Sequence, residues 1–273
     1  MPTTVADVTA VVERLWPISG AESWDSVGLV AGDLGAEVRS IRLAVDAVID
    51  TVDEAIEHSA DLLLVHHPLL WRGVTSVSSD RYKGAVISRL IKADCALIAA
   101  HTNADVVESG TSGTFARRLG LLDVRPIEPG VNPERGIGRV GTLATPTTLG
   151  TLARALGDIL PATASGIRVA GDFEQTVSTV ALCGGAGDSL LSHTEVLAAD
   201  VYITSDLRHH PASEARENAR VAQGPALIDV SHWASEWLWL ESAAAELRSA
   251  LPEVTVTVSD LRTDPWDFTV IQK

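Results

Sequence analysis

The stretch "DLLLVHHPLLW", from Asp61 to Trp71, places four apolar residues directly before two histidines and a proline. An apolar run of this length predicts a short strand that is buried on both faces. Ligands of open α/β sheets bind outside the carboxyl ends of the strands, where His66 and His67 would lie. Side chains alternate along a regular strand, but a turn at its exit lets both imidazoles reach one cleft. The pair predicts a metal-binding position, with a buried structural histidine as the alternative.

The segments around this stretch alternate between strand and helix patterns. Strands are predicted at 39–48 and 95–101, and helices are predicted at 49–60, 189–198 and 232–251 from apolar residues at helical spacing. Strands that alternate with helices predict an α/β fold with mixed, largely parallel sheets.

Two segments of the chain share one layout. Residues 44–68 and 180–211 each show a strand, a helix, Ala-Asp, a second strand and then His-His-Pro. This recurrence predicts two related α/β lobes around a central cleft, at 1–125 and 126–273, which together form one family-level domain. The C-terminal helix and strand could pack back on the first lobe. Ordinary recurrence of strand–helix–strand units is the alternative reading.

Composition and charge limit the classes of function. The 273 residues carry a net charge of −15, which disfavours general binding to nucleic-acid phosphates. No apolar stretch is long enough to span a bilayer, and the N-terminus lacks a signal-peptide pattern, so we expect a soluble, cytoplasmic protein without a membrane partner. Cys95 and Cys183 lie in apolar runs without CxxC spacing, which predicts buried thiols rather than a thiolate zinc site.

Two further segments supply metal-ligand types after predicted strands. His101 and Asp105 follow the strand at 95–101, although Asp105 alone would more simply cap a turn or a helix. His232 and Glu236 lie four residues apart at the start of a helix, so both project from one face. A glutamate near a helix N-terminus is also favourable for the helix dipole, which is the alternative for Glu236.

Taken together, these nitrogen and oxygen donors exceed what a single tetrahedral ion with an open position requires. They suit two divalent ions per chain that share a bridging carboxylate, for which Glu236 has the two oxygens needed. Such ligands are compatible with Zn, Mn, Fe, Co or Ni. The predicted ligands are His66, His67, Asp105, His232 and Glu236.

Five motifs in order, between about Trp24 and Glu236, resemble those of the GTP cyclohydrolase I type 2 homologue family, the dinuclear-metal Nif-three-like proteins. They are "WDSVGLVAGD", "LLLVHHPLLW", "HTNAD", "VYITSDLRHH" and "DVSHWASE". One departure is His-His-Pro where many members have His-His-Gly, which leaves the proposed ligands unchanged. The segment between the two halves is too short for the extra domain that some members carry.

The resemblance implies a two-lobed α/β subunit, a ring-shaped homo-hexamer and a two-metal centre. By the family pattern, His67 and Asp105 would bind one ion. His66 and His232 would bind the other, and Glu236 would bridge them.

The second half contains two features to which the sequence assigns no firm role. His209 and His210 repeat the paired histidines and would be a relic or an outer neighbour of the site rather than ligands. The glycine-rich turn at 184–189, "GGAGDS", could bind an anion at a helix start, although a simple turn is the more economical reading.

The leading functional hypothesis is a metal-dependent hydrolase acting on a nucleotide-like or phosphorylated small molecule. Opening of the GTP imidazole ring is its most specific version. His101 could act as general acid or base, and Trp71 and Trp233 could stack on a ring or simply pack locally. The alternatives are a non-catalytic metal-binding, regulatory or scaffold protein, and a purely structural α/β module in which the donor set is a coincidence.

Overall fold

The structure is a computed structural model that describes residues 2–271. The α-helices are α1 (Val5–Leu15), α2 (Ile49–Glu57), α3 (Tyr82–Lys92), α4 (Thr102–Asp105), α5 (Thr111–Arg118), α6 (Leu149–Ile159), α7 (Thr194–Leu197), α8 (His209–Val221) and α9 (His232–Ala250). The strands are β1 (Gly28–Ala31), β2 (Ser40–Ala44), β3 (Leu62–Val65), β4 (Ala96–Ala99), β5 (Leu121–Arg125), β6 (Glu128–Pro129), β7 (Gly136–Ile137), β8 (Arg139–Thr148), β9 (Arg168–Ala170), β10 (Thr176–Ala186), β11 (Val201–Ser205), β12 (Ala226–Val230) and β13 (Thr255–Val258).

The described residues form two compact units. The first consists of Met1–Ala104 and Leu240–Thr263, and the second of Asp105–Trp239 and Asp264–Lys273. These segments differ from the lobes inferred from the sequence, whose boundary between residues 125 and 126 remains a prediction.

The first unit is built on a five-stranded sheet with the order β1-β4-β3-β2-β13. The pairs β4–β3, β3–β2 and β2–β13 are parallel, and the edge strand β1 is antiparallel to β4. All four residues of β3 are fully buried, as the apolar run predicts for a central strand covered on both faces. Helices α2 and α3 contribute Val52, Ala55, Val86 and Leu90 to the core on one side of this sheet.

The register of the parallel strands places the carboxyl ends of three strands at one edge of this sheet. Ala44 is paired with Val65, and Val65 is paired with Ala99, so β2, β3 and β4 end level with one another. The residues that directly follow these ends include His66 and His101. The sequence therefore delivers ring nitrogens from separate strands to one edge, as expected for parallel α/β sheets.

The second unit contains a six-stranded sheet with the order β5-β8-β10-β11-β12-β9. Its central strands β10, β11 and β12 are parallel, and the outer pairs are antiparallel. Ser205 is paired with Val230, so Asp206 and Ser231 leave the sheet side by side. The prediction of an α/β fold with mixed, largely parallel sheets is confirmed.

The helix predicted at 189–198 is wrong as a single element. The segment instead forms a 3-10 turn at Asp188–Leu190 and the one-turn helix α7. His193 has an extended backbone, and its Nδ1 accepts a hydrogen bond from the Glu195 amide at 3.3 Å, which caps the second piece. A side chain that competes for helix amides ends a helical pattern even where the apolar spacing continues.

The long helix α9 follows the predicted bounds within one residue. Within residues 2–271, no helix is long and apolar enough to cross a membrane. The paired residues His209 and His210 begin α8, where both are exposed, and they belong to none of the potential metal-binding groups of the described chain.

Candidate functional site

Three histidines of the first unit lie close enough to share a ligand. His66, His67 and His101 each offer a ring nitrogen within 4.8 Å of the others, and this group could hold a metal ion. The ring centroids of His66 and His67 are 5.1 Å apart, and those of His66 and His101 are also 5.1 Å apart. His66 is completely buried, whereas the other two rings are partly accessible.

A backbone turn explains how two consecutive residues reach the same side. The amides of His66 and His67 both donate to the carbonyl oxygen of Val45, at 3.1 and 2.9 Å. In a regular strand, successive amides point in opposite directions, so this shared acceptor marks the point where strand geometry ends. The alternation of side chains ends with the regular strand, and the rings of His66 and His67 therefore face the same side.

The three imidazoles share a second feature: in each ring, Nδ1 is hydrogen-bonded to an oxygen acceptor. Because carboxylate and carbonyl oxygens only accept hydrogen bonds, each Nδ1 carries a proton, and in the neutral ring Nε2 is then the nitrogen with the lone pair. Metal-binding histidines have this arrangement, since the outer acceptor fixes the ring and its tautomer. The Nδ1–oxygen distances are 2.9 Å for His66 to the Ala100 carbonyl, 2.7 Å for His67 to Asp46 and 3.0 Å for His101 to Asp25.

The Asp25 carboxylate is more completely enclosed than the Asp46 carboxylate. Its side chain is fully buried and also accepts hydrogen bonds from the amide and the hydroxyl of Thr102, at 3.1 and 2.5 Å. Burial by itself raises the pKa of Asp25, but the hydrogen bonds from His101 and Thr102 outweigh burial and lower that pKa far below its usual value. Asp25 is therefore a permanent anion that holds the His101 ring in place.

In the second unit, His232 and Glu236 lie one turn apart at the start of α9. Ser231 begins this helix, because its hydroxyl oxygen accepts from the Ala234 amide at 3.2 Å. His232 Nε2 is 3.0 Å from Glu236 Oε1, and His232 Nδ1 donates to Asp206 Oδ2 at 2.7 Å. His232, the third predicted imidazole ligand, thus also has an oxygen acceptor at Nδ1, as the three histidines of the first unit do.

The electrostatics of this pair favour a cation at Nε2. Burial lowers the pKa of His232, but the charges and hydrogen bonds of Glu236 and Asp206 outweigh burial and raise it well above its usual value. Glu236 is only 3% exposed. A carboxylate this deeply buried requires a positive partner, which a proton on His232 or a metal ion can equally provide.

Gly185 leaves room for this carboxylate. The residue has a φ of +71°, and a Cβ added to it would lie 2.3 Å from Glu236 Oε1 and 3.2 Å from His232 Nε2. Its amide donates to the hydroxyl of Ser235 at 2.9 Å, which ties the glycine-rich turn to α9. The turn thus leaves the space that Glu236 Oε1 and His232 Nε2 occupy.

Asp105 is the remaining predicted ligand and belongs to the second unit. Its Oδ1 accepts from the Thr111 hydroxyl at 2.5 Å, which fixes the carboxylate next to α5. The following segment is fixed by the buried guanidinium of Arg139, which donates to the Val107 carbonyl at 2.6 Å. Nitrogen and oxygen donors with fixed rotamers fit a divalent metal ion. It remains a prediction that the histidines of the first unit bind the same ions as Asp105, His232 and Glu236.

Four supporting residues were not predicted from the sequence. Asp46 and Asp206 each follow a strand end, and Asp25 lies in the motif "WDSVGLVAGD", so the available signal was an acidic residue next to each ligand segment. The sequence predicts either a simple turn or an anion-binding turn at Gly185, and neither reading includes contact with Glu236. The role of Gly185 depends on a close approach between β10 and α9 that spacing along the chain does not reveal.

The family model described as Duf34/NIF3 (NGG1p interacting factor 3) matches residues 3–265. The chain belongs to the DUF34/NIF3 family. This confirms the family resemblance, since a "GTP cyclohydrolase 1 type 2 homolog" of Streptomyces coelicolor is 48% identical over 270 residues, which is 96% of this chain and 93% of that protein. A Mycobacterium tuberculosis protein of the same name is 34% identical, covering 98% of both chains, in an alignment of 378 residues. That alignment is longer than this chain, so the mycobacterial relative carries additional segments.

Solved structures of this DUF34/NIF3 chain's relatives agree in fold. The Staphylococcus aureus hypothetical protein SA1388 has a TM-score of 0.90 at 28% identity and covers 98% of this chain and 100% of its own. A Bacillus cereus protein related to NIF3 has the same TM-score at 23% identity, with the same coverage, and supports the fold alone.

Proposed function

We propose that this DUF34/NIF3 protein is a metal-dependent hydrolase that uses two divalent ions and acts on a nucleotide-like or phosphorylated small molecule. One observation carries the proposal: the three predicted imidazole ligands, His66, His67 and His232, present Nε2 while an oxygen acceptor holds Nδ1. Rings oriented in this way are typical of prepared metal ligands rather than of isolated core histidines. His101, the predicted general acid or base, is held in the same manner. The family names of the relatives support a hydrolytic reaction on a nucleotide.

The ligands divide between two ions in this proposal. His67 and Asp105 would hold one ion, His66 and His232 would hold the other, and Glu236 would be shared between them. Zn, Mn, Fe, Co and Ni all accept this mixture of imidazole and carboxylate. A bridging role for Glu236 explains why a carboxylate only 3% exposed faces His232 Nε2 rather than solvent.

Divalent ions held by these residues would supply Lewis acidity and lower the pKa of bound water. The protein contributes a proton acceptor, because His101 has a lone pair at Nε2 while Nδ1–H is bonded to Asp25. As His101 Nε2 takes a proton from the attacking water, whose oxygen replaces the leaving group, the buried Asp25 carboxylate stabilises the resulting imidazolium. His101 then returns that proton to the leaving group.

Metal analysis of the purified, reconstituted protein tests the metal-binding half of the proposal. We expect about two ions per chain, as dinuclear hydrolases require. The paired replacement of His66 and His67 by alanine should remove them. The matched control is the same replacement at His209 and His210, which have the same sequence context but are exposed at the start of α8. Equal metal contents in the two double variants would refute the assignment.

Hydrolysis assays test the catalytic half. Turnover of GTP or of a phosphoester should require metal and disappear in H67A and E236Q. Two firmly bound ions without turnover across a broad panel of nucleotides and phosphoesters would instead support the non-catalytic alternative, a metal-binding regulatory or scaffold protein. The ring-shaped homo-hexamer implied by the family is part of the proposal, and multi-angle light scattering measures it directly.

A further inference from the structure

Two tryptophans of the first unit are exposed to an extent that no core role explains. Trp24 is 54% exposed and Trp71 is 44% exposed, whereas Trp16 and Trp239 are completely buried. The indole centroids of Trp24 and Trp71 are 6.1 Å apart, and their planes meet at 73°. They form a two-sided corner with open indole surface, which we call the aromatic corner.

The aromatic corner adjoins the histidine group of the same unit. The ring centroids of Trp24 and His101 are 5.9 Å apart, again at 73°. His101 in turn lies next to His66 and His67. A flat ligand that stacks on Trp24 would therefore be in contact range of the only imidazole for which we propose proton transfer.

A cation completes this surface. The guanidinium carbon of Arg72 lies 4.4 Å from the centroid of the Trp71 ring, as in a cation–π pair. Arg72 is exposed on a chain whose net charge is −15, so it is a local positive position on an acidic protein. Its planar fork of donors suits a phosphate group better than an ammonium would.

We propose that Trp24, Trp71 and Arg72 bind a nucleoside monophosphate, whose base stacks in the aromatic corner and whose phosphate binds Arg72. This inference rests on the proposed function, because the base would be placed beside His101, the residue for which we propose proton transfer. It adds the recognition elements, which the metal ligands do not provide. Stacking gives affinity without strong base selectivity, since every base has an aromatic face.

Isothermal titration calorimetry with three probes tests the assignment, using the metal-loaded full chain. GMP carries base and phosphate, guanosine carries only the base, and ribose 5-phosphate carries only the phosphate. Base stacking is worth about 1–3 kcal/mol per base, so W24A and W71A should each weaken GMP and guanosine binding roughly 5- to 150-fold. W24F keeps a stacking surface and should restore most of the affinity. R72Q should weaken GMP binding but leave guanosine unchanged.

The matched control is W266A, because Trp266 is 63% exposed but belongs to the second unit. This variant should bind GMP as the unaltered protein does. Equal GMP affinity in W24A, W71A and W266A would overturn the inference.

Metal content measured on the same samples separates this inference from the proposed function. A protein that holds two ions but binds none of the three probes overturns the aromatic-corner assignment and leaves the metal proposal intact. A protein that holds no ions, yet binds GMP in a manner that depends on Trp24, supports the assignment and overturns the hydrolase.

Discussion

Gly185 and Glu236 approach so closely that any side chain at position 185 would displace the carboxylate. A Cβ there would lie 2.3 Å from Glu236 Oε1, which is far inside van der Waals contact. The atom that it would strike is one of the oxygens proposed to bridge two ions. A glycine that resembles an ordinary turn residue in the sequence is therefore a requirement of the ligand set.

The first prediction follows from this contact. G185A should lower metal affinity by about 10- to 100-fold, a typical loss for a change that displaces a ligand, because Glu236 must move. The matched control is G120A, since Gly120 has a φ of +73° but open space around its Cβ position. Both variants should lose about 1–2 kcal/mol of unfolding free energy from left-handed backbone strain.

Chemical unfolding and metal titration of the two glycine variants measure these effects separately. Should G120A lose metal affinity as much as G185A, the effect would come from backbone strain rather than from the Glu236 contact.

The second prediction concerns the carboxylate that orients His101. D25N should reduce metal-dependent turnover by about 10- to 100-fold, because an amide cannot hold the Nδ1 proton as a buried carboxylate does. Nitrogen NMR of labelled histidine would show a shift in the His101 tautomer. The comparison variant is D33N, which changes an exposed aspartate of the same unit. An unaltered His101 spectrum in D25N would contradict the role given to Asp25.

The third prediction is a dependence of stability on alkaline pH. Burial raises the pKa of both Cys95 and Cys183 to about 12. In the unfolded chain a thiol titrates near about 8.5, so above that pH the unfolded state loses protons that the folded state keeps. Stability should therefore fall from roughly pH 8.5 up to the folded-state pKa of about 12, by up to about 1.4 kcal/mol per pH unit for each thiol.

Urea unfolding at several pH values measures this slope, and the C95A/C183A double variant should have a shallower one. The same burial predicts that a thiol reagent at pH 8 labels the folded protein far more slowly than the unfolded protein. Equal labelling rates would show that the thiols are accessible.

The fourth prediction concerns the strand from which the paired histidines emerge. Leu64 lies in the centre of β3 and is completely buried, so L64A should cost about 2–5 kcal/mol of unfolding free energy. The control is L34A, because Leu34 is 52% exposed and should change stability by less than about 0.5 kcal/mol. Similar midpoints for the two variants in denaturant titration would contradict a central, buried β3.

The fold class was predictable because it depends on local periodicity. The apolar run of β3 and the helical spacing of α2 and α9 are visible in short windows of sequence, and each formed as expected. The segment at 189–198 failed because a single side chain, His193, diverted the helix amides, an effect that apolar spacing does not encode.

The supporting contacts of the site were predictable only in part. The partners of the histidines come from other strands, so they depend on the register between strands rather than on residue spacing. Asp46 is 21 residues from His67, and Asp206 is 26 residues from His232. The sequence offers an acidic residue near each strand end, but only the paired strand ends reveal which imidazole it contacts.

The shared acceptor at Val45 has a consequence for how this protein could be altered. Because the oxygen that receives the amides of residues 66 and 67 belongs to the main chain, replacing the valine side chain cannot delete it. The backbone turn, and not any side chain, therefore directs the side chains of residues 66 and 67 to the same side. An engineer could exchange the two imidazoles for other donors, such as carboxylates or thiolates, and still have both delivered to the same place.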